Sequence, residues 1–424
     1  MTGVATVHVI GAGLAGLSAA VALEQAGIAV RVHEAAGHAG GRCRSFHDKA
    51  LDRTIDNGNH LLLSGNGSAL AYLDAIGSVD ALTGPETAAF PFVDGRTGAR
   101  WMLRPNDGPV PWWVMSPGRR VPDTHSWDYL PGLRIPFAAG SQTVTDLIPA
   151  HGPLYERFWE PFVVAVLNTP PEKAAAALLW PVLRETFLKG GEACRPLIAR
   201  EGLGPAFVDP AVRMFAATNR PIRFNARLRE MERADGRIAA LAFADTRIAL
   251  EPRDMVILAV PPARARDLVP GLDVPEDGET ILNVHFRLSR PAPSPGGVGV
   301  VGLINAHAQW AFVRGDMVSL TVSAAGALAD RPSEELLEIF WPETRLALGL
   351  EDTDYVAARI IKERRATFDQ SPAGVAKRPG TQTAWANLLL AGDWTDTGLP
   401  ATIEGAIRSG RRAAELARAR IARL

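Results

Sequence analysis

The chain has 424 residues, 47% of them hydrophobic and 21% charged, which is enough to bury large cores in more than one domain. A formal net charge of −1 gives no electrostatic case for nucleic acid, and two cysteines, Cys43 and Cys194, exclude both a disulfide framework and a cysteine-held metal site. No basic leader precedes the first apolar residues and no uninterrupted apolar run reaches about 18 residues, so the expectation is a cytoplasmic protein, at most peripherally associated with the inner membrane.

Val7, Val9 and Ile10 end a short strand that runs directly into Gly11-Ala12-Gly13-Leu14-Ala15-Gly16. A helical pattern over 14–26 stops at Gly27, and a second strand over 28–32 closes on Glu34. This is a βαβ unit with a G-x-G-x-x-G turn in the context that binds dinucleotides. Gly11 makes the tight turn, Gly13 lets a pyrophosphate approach the backbone, and Gly16 lets helix and strand pack closely. The N–H groups of Leu14 and Ala15, at the positive end of the helix, face the phosphates. Glu34 is placed to accept hydrogen bonds from a ribose diol.

The next segment, 35–42, ends in Gly40-Gly41-Arg42. Its glycines permit backbone close to a ligand and Arg42 suits a pyrophosphate; the plain alternative is a Gly-rich loop with one solvated arginine. A G-G-R segment behind a G-x-G-x-x-G…E unit resembles the flavin amine oxidase and phytoene desaturase superfamily, whose members bind FAD. The resemblance implies an α/β fold of amine oxidase type. A discontinuous Rossmann-type FAD-binding domain (1–64, 216–280 and 385–424) would carry an inserted α+β substrate-binding domain (65–215 and 281–384).

Asp56-Asn57-Gly58-Asn59-His60 follows. In the superfamily a similar D-x-G segment passes beside the isoalloxazine ring, which makes Asn57, Gly58 and Asn59 cofactor candidates. Asn after the Asp, with His two residues beyond the Gly, resembles the hydroxysqualene dehydroxylase branch. The usual residue at position 59 there is Gln, so Asn59 is a departure. His60 is attractive because imidazole exchanges protons near neutral pH; the bland alternative is a histidine that hydrogen-bonds backbone and orders the loop.

From 65 to 215 no second nucleotide signature occurs. The stretch 109–115, rich in Trp and Pro, reads as a loop or edge segment. With Arg119, Arg120 and Trp127 behind it, two readings stand: a membrane interface, where amphipathic rings settle, or ordinary core. Over 153–188 the pattern is helical, with Phe158, Trp159 and Phe162 on one face. That face is either core or the lining of an apolar substrate tunnel.

Strands are expected at 222–224, 226–231, 238–243 and 255–262, the last a continuous apolar run suited to a strand buried on both faces. In the superfamily pattern a residue near Leu228 offers its backbone to the adenine. Further strands fall at 283–288 and 309–321; Trp310 and Phe312 resemble the aromatic strand that borders the dehydroxylase cavity. A helix over 333–348 opens with Ser333 as a cap and Glu334 and Glu335 in its first turn. Lys362 resembles a flavin-side lysine of some amine oxidases only weakly, and a solvated charged face is the better reading.

The last segment, Leu388-Leu389-Leu390-Ala391-Gly392-Asp393, is a buried strand ending in Gly-Asp, followed by a loop and a helix from about Thr402. The resemblance places Gly392 and Asp393 by the ribityl–phosphate side of FAD, and Ala401, Thr402 and Ile403 by the flavin ring. The stretch 392–400 is similar to the dehydroxylase version.

The resemblance thus implies an FAD-dependent oxidoreductase that reduces hydroxysqualene, a long-chain isoprenoid, to squalene in hopanoid biosynthesis, its electron donor left open. Protonation of an allylic hydroxyl, loss of water and hydride transfer would complete the reaction, with His60, Asp56 and Asp396 as candidates for the acid. Phe158, Trp159, Phe162, Trp310 and Phe312 would hold the hydrocarbon. Two other activities share the fold: carotenoid desaturation, separable by product analysis, and amine oxidation, disfavoured by a single tyrosine (Tyr355) in the C-terminal third. A non-redox isoprenoid carrier is a third reading, against which the intact glycine turn, Glu34, Arg42 and Asp393 argue.

Overall fold

The computed structural model describes residues 5–218, 220–351 and 353–423. At its centre lie four parallel strands, β1 (Thr6–Ile10), β2 (Ala29–His33), β3 (Met255–Leu258) and β4 (Leu388–Leu390), in the order β4-β3-β1-β2. They come from three separated stretches of the chain, so this sheet forms only once the intervening segments have looped out and back. β3 and β4 are buried along their whole length, as the unbroken apolar runs require of strands covered on both faces.

One cover is a helix pair, α1 (Leu14–Gln25) and the C-terminal α2 (Ile403–Ile421). α1 is rich in Ala and Leu, and nine of its residues are buried because it is sandwiched between sheet and α2. The two helices cross in close contact. A Cβ on Gly410 would lie 2.1 Å from the Ala15 carbonyl oxygen, and Ser18 Oγ donates to the Ile407 carbonyl at 2.9 Å. The opposite cover is a three-stranded antiparallel sheet, Leu228–Ala234, Arg237–Phe243 and Arg247–Ala249. The pleat sorts the side chains: Ile257 and Leu389 point to the helix side, and Val256, Leu258, Leu388 and Leu390 to the antiparallel side. The helix-side core also takes in Ala69, Tyr72 and Leu73 of the helix Gly67–Ala75, and Leu203, Phe207 and Phe215.

A second, seven-stranded mixed sheet runs in the order Tyr355–Glu363, Ile281–Leu288, Met317–Val322, Trp310–Arg314, Val300–Ile304, Phe90–Asp94, Arg100–Leu103. The helix Ser333–Leu348 covers one face, burying Leu336, Phe340 and Ala347 against Leu282, Val284 and Phe286. The alternate positions Asn283 and His285 therefore project from the other face.

Several expected elements differ in detail. The helical pattern over 153–188 is broken: a π-helical turn (Tyr155–Trp159) leads into Glu160–Leu167, which ends at Asn168 in a left-handed conformation (φ 45) before Pro170-Pro171. Pro161 lacks the N–H that an α-turn would donate, which accounts for the widened turn ahead of it. The segment 222–224 is no strand but a single bridge between Arg223 and His33. The cap of Ser333–Leu348 is Pro332, with Ser333 already inside the helix. Among the described residues, no helix is long and apolar enough to cross a membrane.

Candidate functional site

The glycine turn and the G-G-R segment meet at the ends of β1 and β2. The Gly40 N–H donates to the Ala12 carbonyl at 2.8 Å, Gly13 and Gly40 form an isolated bridge, and a Cβ on Gly41 would lie 3.4 Å from Gly13 Cα. Gly11 has φ +107 and no room for a side chain, its Cβ position lying 2.3 Å from the Ala259 carbonyl oxygen; that of Gly16 lies 1.9 Å from the Gly11 oxygen. Gly13 is the contrast: nothing lies within 4 Å of its Cβ position, so the turn opens onto space there. The first turn of α1 beside it has no side-chain cap, which leaves the N–H groups around Leu14 and Ala15 for a ligand. The Glu34 carboxylate accepts from the backbone N–H of Ala12 (2.7 Å) and of Ala36 (2.8 Å), which fixes it across the mouth of this turn.

Arg42 and Asp393, 351 residues apart, form an ion pair at 2.6 Å, and Arg42 also donates to the Ala366 carbonyl at 2.6 Å. Asp393 keeps the Arg42 guanidinium firmly protonated. Gly392 (φ +152) precedes the acid because any Cβ there would collide with the Trp394 indole, whose Nε1 donates to the Val260 carbonyl at 2.9 Å. Buried Arg378 ties the loop behind it, donating to the carbonyls of Asp393 and Thr395. At the start of α2 the Ala401 N–H donates to Gln370 Oε1 (2.9 Å) and the Thr402 hydroxyl accepts from Gly405 N–H (3.0 Å), with Ile403 buried just inside. The Leu228 carbonyl accepts from Arg264 at 2.7 Å, so that oxygen is already engaged. An open glycine, an uncapped helix terminus, a poised carboxylate and a guanidinium in one groove fit an extended dinucleotide.

The 56–60 segment lies between this groove and the polar face of the seven-stranded sheet. Asn57 donates to Glu363 (3.0 Å), Gly58 abuts Asn283, and Asn59 donates to Asn283 Oδ1 and Thr321 Oγ1. Asp56 is buried and fully engaged: Oδ2 pairs with Arg314 at 2.6 Å, while Oδ1 accepts from Ser45 Oγ (2.5 Å) and Leu203 N–H (2.8 Å). Such a carboxylate acts as an acceptor and a fixed charge. A small cavity here is lined by Asp56, Asn59, His60, His285, Phe312 and Arg314, among others.

Burial lowers the His60 imidazole to about 4, with the Asp56 charge opposing and Arg42 adding to the drop. The His60 side chain is nonetheless exposed over part of its surface, and it stands in the wall of this cavity. No hydrogen-bond partner of His60 is found among the described residues, so backbone anchoring is not what holds it. His285 is likewise lowered to about 4 by burial; its Nδ1 meets Ser319 Oγ at 2.7 Å and its Nε2 is buried without a partner. Both rings are therefore uncharged at neutral pH.

Asp396 stands apart from this lining. It is exposed on the loop after Trp394, where its side chain accepts from Gly398 N–H at 3.3 Å. Phe158, Trp159 and Phe162 form one aromatic cluster with Phe187, the Phe158 and Phe162 rings parallel at 5.5 Å. Leu61 and Trp310 pack against both that cluster and the one containing Phe312, joining the aromatic core to the cavity wall. Lys362 donates to the carbonyls of Ala329 and Arg331 at 2.8 and 2.7 Å, a structural tie.

His285, Arg314 and Asn283 escaped sequence reasoning as site residues. The alternation Leu282-Asn283-Val284-His285-Phe286 was a usable signal, since a strand with one polar face needs something polar to meet.

Residues 14–417 match the family described as flavin containing amine oxidoreductase. The chain is 46% identical over 411 residues to a hydroxysqualene dehydroxylase of Sinorhizobium fredii (strain NBRC 101917 / NGR234), covering 97% of this chain and 98% of that one. It is 46% identical over 412 residues to a hydroxysqualene dehydroxylase of Rhodopseudomonas palustris (strain ATCC BAA-98 / CGA009), with the same coverage. Among solved structures, a putrescine oxidase double mutant superposes with a TM-score of 0.71 over 98% of this chain and 99% of that one, at 18% identity, a likeness of fold.

Proposed function

The chain belongs to the flavin containing amine oxidoreductase family, and on that premise we propose that it reduces hydroxysqualene to squalene. The observation that carries this reading is the 46% identity to hydroxysqualene dehydroxylases along nearly the whole of both chains. The protein is an FAD-dependent oxidoreductase. Its substrate is an isoprenoid, and peripheral contact with a membrane, where such hydrocarbons partition, belongs to the proposal.

Leu14, Ala15 and Arg42 would hold the FAD pyrophosphate, Glu34 a ribose, and Asp393, with Arg42, the ribityl–phosphate side. When bound and reduced, FAD supplies the hydride that replaces the hydroxyl. The chain's own residues do the rest. Aromatic side chains at Phe312, Trp310 and the Phe158 cluster keep water from the hydrocarbon and present ring faces to an allylic cation. His60 and His285 offer hydrogen bonds to the hydroxyl, while Asn59, its amide protons held by Asn283 and Thr321, keeps only its oxygen to accept one. His60 takes up a proton and passes it to that oxygen, the C–O bond breaks, and water leaves; a C–H bond then forms, so the alcohol is reduced by two electrons. The buried Asp56 charge favours the transient imidazolium, and Arg314 holds Asp56 in place.

The test is a single anaerobic turnover. Protein with chemically reduced FAD is mixed with hydroxysqualene in detergent while the flavin spectrum is followed and the lipids are extracted. Flavin reoxidation matched by squalene formation is the expected outcome. Reduced flavin with hydroxysqualene recovered intact would overturn the proposal.

A further inference from the structure

Nine large apolar side chains are exposed among the described residues, and seven of them fall between Val110 and Phe137. They include Trp112, Met115, Trp127, Leu130, Leu133 and Phe137, the last 84% exposed. Proteins rarely expose such a concentration without use for it. The segment is no loose loop. Two short 3₁₀ stretches, Trp112–Met115 and Ser126–Phe137, pack on each other, and their inner side chains Trp113 and Ile135 are buried in the aromatic core of Phe158 and Trp159. Gly132 presses that core directly, its Cβ position lying 3.0 Å from the Trp159 ring. One face is therefore anchored and the other has nothing covering it.

Charge separates the kinds of occupant. Arg119, Arg120 and Arg134 lie in the same segment, with Arg119 stacked over Trp112 at 4.8 Å. No carboxylate among the described residues is within ion-pair distance of these three. The segment's two acids are spent locally: Asp123 pairs with Arg157 at 2.5 Å and Asp128 accepts from the His125 N–H at 2.7 Å. Apolar and indole side chains flanked by unpaired arginines match the boundary between acyl chains and anionic headgroups.

We propose that the outer face of residues 110–137 seats in the surface of an anionic lipid bilayer, as a preformed apolar platform. Beneath it the packed aromatic core continues through Leu61 and Trp310 to the Phe312 wall of the cavity, so the route of a hydrocarbon leaving the membrane would run by parting these apolar side chains. The proposal rests on the isoprenoid reading only for that route, and its binding test needs no substrate.

The FAD-loaded full chain is floated with vesicles of phosphatidylcholine alone or with added phosphatidylglycerol. Wild type should bind the anionic vesicles, less so in high salt, and Leu133→Ser/Phe137→Ser should lower the partition coefficient by about tenfold or more. Arg119→Gln/Arg134→Gln should remove the preference for phosphatidylglycerol. With wild type, acyl-brominated lipid should quench tryptophan fluorescence, and Trp127→Phe should reduce that quenching, a readout independent of whether the serine variant folds. In detergent the serine variant should turn over at the wild-type rate, while turnover from vesicles falls with binding. Wild type that ignores vesicles, or serine and wild-type chains that bind alike, would overturn the proposal. So would serine substitutions that only dissociate a dimer seen by light scattering, which would assign the face to a second copy. If no substrate is turned over yet vesicle binding follows these variants, the platform stands and the reaction assigned above does not.

Discussion

Replacing Asp56 with Asn is the most informative single change in the site. The side chain keeps its shape but has one acceptor where the carboxylate has two. If the amide oxygen stays on Leu203 N–H and Ser45 Oγ, the NH₂ faces Arg314 where the carboxylate stood at 2.6 Å; if it flips, two donors meet at Leu203. Either orientation leaves a buried donor unpaired and Arg314 without its counter-charge. Breaking a fully buried pair costs about 3–5 kcal/mol, but the Arg314 side chain is 33% exposed and partly solvated, so about 2–3 kcal/mol is the expected loss. For 424 residues, an unfolding entropy near 2.1 cal/mol/K per residue converts this to a fall in Tm of about 2–3 °C. Scanning calorimetry on FAD-saturated protein would be run on Asp56→Asn, Arg314→Met and the double variant. The double variant should lose less than the sum of the singles, by about 1–2 kcal/mol. Additivity within about 0.5 kcal/mol would refute the claim that Asp56 and Arg314 act as a unit.

The two glycines of the turn should fail in different ways. Gly11→Ala, with φ +107 and its Cβ position 2.3 Å from a carbonyl, should prevent soluble folding, whereas Gly13→Ala should fold normally and weaken FAD by about tenfold or more. Fluorescence titration of the apoprotein checks this, and an unchanged FAD affinity for Gly13→Ala would show that the open space is not the cofactor's. If the proton passes through His60, activity falls as pH rises through its pKa, and His60→Gln should flatten the pH–rate profile of the anaerobic turnover as well as slow it. Stability should depend on pH through the buried histidines. Burial lowers His8 to about 4, His33 to about 3 and His285 to about 4, all below an unfolded value near 6.5. The unfolded chain therefore binds more protons below that value. The stabilisation is complete above pH 6.5 and is lost as pH falls towards 4, at up to about 1.4 kcal/mol per pH unit for each ring. A Tm that stays level from pH 7 to pH 4.5 would contradict this.

By itself the sequence determined those features in which neighbouring residues dictate one another's geometry. The β1–α1–β2 unit, the glycine turn, Glu34 and the Gly392–Asp393 strand end were legible because turn chemistry, helix termini and apolar runs act within a few residues. A strand over 283–288 was legible too, two residues short of the observed Ile281–Leu288, but not that Asn283 and His285 would meet Asn59 and the cavity, because alternation tells that one face is polar without telling what it faces. Only tertiary structure could pair Asp56 with Arg314, 258 residues away, turning a candidate acid into a fixed charge, or leave Asp396 exposed outside the cavity lining. The same holds for the 110–137 segment. Its tryptophans and prolines were plain to read, yet Trp113 is core and Trp112 and Trp127 are surface. Which side of such a segment faces out is set by the packing of Ile135 and Gly132 against Phe158 and Trp159, a choice made by elements far along the chain.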